Sequence, residues 1–188
     1  MLTVLVIDES RSRAGEICAG LALAGYQVAA ILAGSENLTA EVEKLQPDVI
    51  LIDTDTPSRD TLENLAAMHK NMPRPVVIFT QEGGQATIRD AVRAGVSAYV
   101  VDGLDPRRIK PIVEVARARF EDTQALRREL DEISRKLSER KLVAKAKGVL
   151  MKARGLDEDA AYHAMRKLAM ERGQTMAKAA RDVIDMAR

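Results

Sequence analysis

The first hundred residues repeat one pattern five times: a short apolar run rich in β-branched residues, then a stretch whose apolar residues recur at helical spacing. The runs are Thr3–Ile7, Val28–Leu32, Val49–Ile52, Val76–Phe79 and Ala98–Val101. Between them the helical sets are Ile17, Leu21, Ala24; Leu38, Val42, Leu45; Leu62, Leu65, Met68; and Ile88, Val92. Nearly uninterrupted apolar strands must be covered on both faces. Five such β–α units therefore predict an α/β fold, a (βα)5 doubly wound parallel sheet with helices on both sides.

In an open sheet of that kind, ligands bind beyond the carboxyl ends of the strands. The residues there are Asp8 and Glu9 after the first run, Asp53 after the third, Thr80 after the fourth and Asp102 after the fifth. Asp8, Glu9 and Asp53 form a candidate acidic pocket of hard oxygen ligands suited to Mg²⁺. An aspartate beside that ion can act as nucleophile toward a phosphoryl group, and Thr80 could hydrogen-bond a phosphoryl oxygen.

The residues at these positions resemble the receiver domains of response regulators. The stretch PDVILIDTDTP, with Asp53 four residues before Pro57, resembles their phosphoacceptor strand; VLVIDES resembles the first strand with its acidic pair; VIFT ends in Thr80 at the place of the switch hydroxyl. AGVSAYVVDG resembles the fifth strand, with Tyr99 in the aromatic switch position. The resemblance implies Asp53 as phosphoacceptor, with Asp8 and Glu9 helping to hold Mg²⁺. Receivers place a lysine and a proline after the fifth strand; here those positions are Asp102 and Gly103. A carboxylate there repels a phosphoryl group rather than pairing with it. Gln81, in place of a small residue, crowds the same site. The expectation is a receiver-shaped docking domain that requires no cofactor, with Mg²⁺ the ion its acidic pocket would take.

Charge divides the chain. Residues 1–139 carry 17 Lys/Arg against 22 Asp/Glu, a balance of −5, and residues 140–188 carry 12 against 6, a balance of +6. A basic segment on an acidic body points to a polyanionic partner. From Asp105 the pattern is helical: Asp105 and Pro106 read as cap and first position, and Pro111 as a second start or a kink. Leu126, Leu130, Ile133 and Leu137 follow spacings of four, three and four, a heptad seam flanked by charge. The seam fits a homodimer, or a helix lying on the first domain; we favour the dimer.

The last fifty residues read as three helical pieces. The first runs through Leu142, Val143, Ala146, Val149, Leu150 and Ala153 and ends at Gly155; Asp157 caps the second; Gly173 ends it; Thr175 caps the third. ERKLVAKAKGVLM (139–151), GLDEDAAYHAMRKLAM (155–170) and TMAKAARDVI (175–184) resemble the ANTAR domain, an RNA-binding module of transcription antiterminators. The resemblance implies binding of paired hairpins in a leader RNA. Lys141, Lys145, Lys147, Lys152, Arg166 and Lys167 are candidate phosphate contacts, and Tyr162 is either a base-stacking residue or a half-buried core tyrosine. Gly148, inside a helix, costs roughly 1 kcal/mol against alanine, which close approach by another helix or by RNA would explain. The expected organisation is a receiver-like domain over 1–119, a coiled-coil connector over 120–138 and an RNA-binding domain over 139–188.

The whole chain is similar to NasT-type regulators of nitrate and nitrite assimilation. That similarity implies a nitrate-sensing partner protein and antitermination of an assimilation operon. Two other readings are weaker. A phosphorylation-gated DNA-binding regulator needs a recognition helix with base-facing polar residues, and TMAKAARDVI offers mainly Lys178 and Arg181. An enzyme built on the acidic pocket lacks a base and a transition-state cation. One cysteine, Cys18, reads as a core residue and excludes an intrachain disulfide. His69 and His163 are too few and too far apart for a metal centre. No apolar run approaches the roughly 20 residues of a membrane span, so the protein is expected in the cytoplasm.

Overall fold

The structure, a computed structural model, describes residues 1–9, 13–81, 83–103 and 105–187; Ser10 of the VLVIDES motif lies outside them. Its contacts divide the chain into two units, Met1–Gln124 and Ala125–Arg188.

In the first unit five strands form one parallel sheet: β1 (Thr3–Asp8), β2 (Gln27–Leu32), β3 (Val49–Thr54), β4 (Val76–Thr80) and β5 (Ala98–Val100), in the order β2-β1-β3-β4-β5. Between them run α1 (Ala14–Leu23), α2 (Leu38–Leu45), α3 (Arg59–Asn71) and α4 (Gln85–Arg93), and α5 (Ile109–Arg154) follows β5. Because side chains alternate along a strand, two cores result. Leu5, Ile7, Ile50, Ile52 and Ile78 pack with Leu38, Val42, Leu65, Met68 and Ala91 of α2, α3 and α4. Val4, Val6, Leu51, Val77 and Phe79 pack with Ile17 and Leu21 of α1 and with Ile109, Val113 and Ala116 of α5. The doubly wound sheet expected from the apolar runs is thus present, with helices on both faces.

Two assignments of core residues need correction. On α4 the buried residue is Ala91, while Val92 is 61% exposed; a helix laid across the sheet by one narrow stripe has room for alanine at the contact, and the bulkier valine turns outward. On α1, Ile17, Gly20 and Leu21 are buried and Cys18 is only half-buried, one position off the stripe.

The start of α5 follows the expected signals. Asp105 accepts a hydrogen bond from the Arg107 N–H at 2.9 Å and opens a short 3-10 turn, Pro106–Arg108. Pro111 lies in the first turn of α5, where its missing N–H would have had no partner. The Tyr26 hydroxyl donates to Glu114 at 2.9 Å, tying this end of α5 to the sheet. The helix then continues without a break to Arg154, so the connector expected over 120–138 is the middle of one helix.

In the second unit the rest of α5 packs with α6 (Glu158–Glu171) and α7 (Met176–Met186) around Ala146, Leu150, Ala161, Met165, Ala180, Val183 and Ile184. Asp157 caps α6, accepting from the Ala160 N–H at 2.7 Å, and Thr175 caps α7, accepting from the Lys178 N–H at 3.3 Å. Gly155 and Gly173 stand between the helices with φ of +62° and +60°, a conformation glycine reaches without penalty.

Candidate functional site

The strand order reverses at β1, so the crevice between β1 and β3 is the switch point at which ligands bind such sheets. Asp8 and Asp53 are direct partners in the β1–β3 register, and both are buried, with Asp53 wholly removed from solvent. Burial raises the Asp53 carboxyl above the ordinary carboxylate value; Arg13 opposes the rise and Asp8 adds to it.

The third acid of the expected pocket points elsewhere. Glu9 accepts a hydrogen bond from the Thr61 hydroxyl at 2.7 Å, and the Ser58 hydroxyl sits 2.9 Å from that same Thr61 oxygen at the start of α3. What stands beside Asp53 is a cation that sequence reasoning missed. Arg13 Nε lies 2.9 Å from Asp53 Oδ2, and Arg13 Nη2 lies 3.7 Å from Asp55 Oδ1. No spacing rule announces this pair, because forty residues separate Arg13 from Asp53 and the fold alone brings them together.

Thr80 and Tyr99 also meet. The Thr80 hydroxyl is buried and donates to the Asp55 carbonyl at 2.6 Å. Burial raises the Tyr99 phenol, and its hydrogen bond with Thr80 acts in the opposite direction. Asp102, at the lysine position, is exposed and has a φ of +71°, followed by Gly103 at +75°. Asp and Gly are the residue types that tolerate such backbone. The Gly103 N–H donates to the Thr80 carbonyl at 2.9 Å, so the turn after β5 closes over the end of β4, and the exposed Asp102 keeps its charge outside the buried pocket.

Mg²⁺ is the ion a receiver implies. Among the described residues no three His, Cys, Asp or Glu side chains are grouped to hold a metal. With Glu9 engaged by Thr61 and a guanidinium against Asp53, the residues present do not make the expected three-carboxylate site.

In the second unit a groove of about 540 Å³ opens between α5, α6 and the first turn of α7. Arg135, Lys136, Arg140 and Lys147 of α5 supply its cations beside Glu139, with Arg135 2.9 Å from Glu139 and Lys136 2.7 Å from Glu132; Tyr162 of α6 stands on one wall, and Thr175, the cap of α7, closes one end with Met176 and Ala177. Tyr162 is 42% exposed and meets His163 edge to face. Lys147 pairs with Glu158, whose carboxyl it holds below the usual range. Lys141, Lys145 and Lys152 lie outside this lining, on another exposed stripe of α5 that also carries Gly148. A Cβ built on Gly148 would meet nothing within 4 Å, so no helix of this chain explains the glycine. Arg166 and Lys167 are exposed on α6, with Lys167 3.9 Å from Glu171. Sequence reasoning found Lys147 and Tyr162 but assigned Arg135 and Lys136 to the flanks of the seam and passed over Arg140. Lys136, Arg140 and Lys147 share one helix face with Val143, at i, i+4, i+11 and i+7, which was the available signal for all but Arg135.

Residues 4–114 match the response regulator receiver domain and residues 131–184 match the ANTAR domain. The chain is an ANTAR-domain response regulator. The regulator is 29% identical to the transcriptional regulatory protein PdtaR of Mycobacterium tuberculosis over 161 residues, covering 86% of this chain and 78% of that protein. It is 36% identical over 83 residues to the nitrate regulatory protein of Klebsiella oxytoca, covering 44% of this chain and 21% of that one. Its first unit shares its fold with a CheY-like receiver domain protein of Methanospirillum hungatei (TM-score 0.57, 21% identity, 65% of this chain and 98% of that chain). No helix among the described residues of the regulator is long and apolar enough to cross a membrane.

Proposed function

We propose that this regulator binds RNA through its ANTAR domain, engages paired hairpins in a leader transcript as a homodimer, and so favours transcription through an operon for nitrate or nitrite assimilation. The observation that carries the reading is the groove of the second unit, which four cations, one carboxylate (Glu139) and the exposed Tyr162 line together with the first turn of α7. Cations and the unpaired N–H groups of a helix start favour phosphate, and an exposed tyrosine ring beside them offers a stacking partner for an unstacked base. Lys141, Lys145 and Lys152, with Arg166 and Lys167, extend the phosphate track.

Homodimerisation rests on the seam. Leu126, Leu130, Ile133 and Leu137 are 67%, 65%, 57% and 52% exposed on a helix whose other positions there are mostly charged. Their 4-3-4 spacing matches the contact line of a second copy of α5. The nitrate context draws on the resemblance to NasT-type regulators and on the similarity to the Klebsiella nitrate regulatory protein; a nitrate-sensing protein is the partner this reading assigns to the receiver-like domain.

A titration with a two-hairpin leader RNA, run beside a promoter duplex of equal length at several salt concentrations, tests the reading. RNA binding should be the tighter and should weaken linearly in log–log form with salt. Absence of hairpin binding, with and without a nitrate-sensing partner, would sink it. Acetyl phosphate added to wild type and to Asp53→Ala separates the rival, phosphorylation-gated reading: strengthened binding in wild type alone would favour that one.

A further inference from the structure

Two buried carboxylates on adjacent parallel strands need a countercharge, because burial penalises each ion and each raises the other. Receivers resembling this one meet the need with Mg²⁺ and a lysine after the fifth strand. Among the described residues of this chain no three acidic side chains are grouped to hold a metal. Its lysine position is an exposed Asp102 in left-handed backbone, and Glu9 is held by Thr61. Among the described residues Arg13 supplies a cation there, 2.9 Å from Asp53 and 3.7 Å from Asp55.

The other departures from the receiver pattern surround the same guanidinium. A Cβ at position 103 would stand 2.8 Å from Gln81 Nε2 and 3.6 Å from Arg13 Nη1. Gly103 therefore lets the turn after β5, the Gln81 amide and the Arg13 guanidinium share one small space. A proline there could not adopt a φ of +75°. Asp102–Gly103, Gln81 and Arg13 read as one device.

We propose that Arg13 is the resident counter-cation of the acidic pocket, taking the place of both the metal and the lysine, so that the receiver-like domain holds Asp53 neutralised without Mg²⁺. Arginine stays protonated at all physiological pH, so the neutralisation persists wherever Arg13 stays beside Asp53. With Asp53 wholly buried and its Oδ2 against Arg13, a phosphodonor has no open approach to the carboxylate. The inference concerns the first unit alone and stands whether or not the second binds RNA.

The test is Mg²⁺ binding by the full chain, followed by calorimetry and by the shift in melting temperature. Wild type should respond weakly to millimolar Mg²⁺. Arg13→Gln should bind it at least about tenfold more tightly, equivalent to about 1.4 kcal/mol, and Arg13→Gln with Asp53→Asn should lose the gain. Equal Mg²⁺ affinity in wild type and Arg13→Gln overturns the proposal. Should Arg13→Gln fail to fold, wild type still decides. The Arg13 Nε–H should give a slowly exchanging, shifted nitrogen-15 resonance that moves in Asp53→Asn and ignores Mg²⁺. A resonance typical of free arginine, or one displaced by Mg²⁺, would refute the assignment.

Discussion

At Asp53 burial and charge oppose one another, and the balance has a consequence for stability. Desolvation leads and leaves the folded-state carboxyl raised above its unfolded value of 3.8. Between the unfolded and the folded pKa the native state binds more protons than the unfolded chain, so stability falls as pH rises through that window and is level above it. Asp53→Asn keeps the shape and removes the titration. Chemical denaturation from acid to neutral pH should show the variant gaining on wild type across the window and keeping the gain at neutral pH. A constant difference at every pH would contradict the sign. Gly148 is the second residue with a separable role. Its helical position is open, so Gly148→Ala should stabilise the chain by up to about 1 kcal/mol in denaturant titration. RNA affinity should nevertheless fall, because the added methyl holds a phosphate backbone away. Rising stability with unchanged RNA affinity would remove Gly148 from the interface.

Among the elements, α5 carries the most testable claim. It is one helix of 46 residues, Ile109–Arg154, whose first turns pack on the sheet through Ile109, Val113 and Ala116 while its last pack on α6 and α7 through Ala146 and Leu150. Between those two buried stretches the large apolar side chains that are exposed are Leu126, Leu130, Ile133 and Leu137. Ile133→Asp puts a charge at the centre of that line, where it meets its own copy across a dimer. Analytical ultracentrifugation should report a dimer for wild type and a monomer for Ile133→Asp, with helix content by circular dichroism nearly unchanged. A wild-type monomer at micromolar concentration would remove the seam from the account. Much at this scale was legible in the sequence, because periodicity is local: the strands at 3, 28, 49, 76 and 98, the caps Asp105, Asp157 and Thr175, and the stops at Gly155 and Gly173 all follow from neighbours a few residues apart. The helical connector was legible too, since the stretch from Asp105 holds no glycine before Gly148, and the structure makes it one helix through residue 138. Arg13 was not legible: its meeting with Asp53 depends on the β1–β3 register and on where α1 starts, and neither is encoded as a spacing.

For the molecule as a whole, the proposed pairing of two RNA-binding modules through one seam would make affinity a matter of valency. A dimer that has docked one hairpin presents its second module at an effective concentration set by the tether, commonly millimolar for short links. The two-hairpin transcript should then bind wild type far more tightly than either hairpin alone, with a gain of about 10²-fold or more. Ile133→Asp should leave single-hairpin affinity as it is, because Arg135, Lys136, Arg140, Lys147 and Tyr162 all belong to one protomer's groove. It should bring the two-hairpin affinity down toward the single-hairpin value. Fluorescence anisotropy on the three RNAs, with both proteins, measures this directly. If the variant loses single-hairpin binding as well, the seam and the groove are one surface and the valency argument fails. If it keeps the full two-hairpin affinity, each hairpin pair is read by a monomer. Only the pattern of unchanged single-site affinity with lost gain assigns the groove to recognition and the seam to pairing.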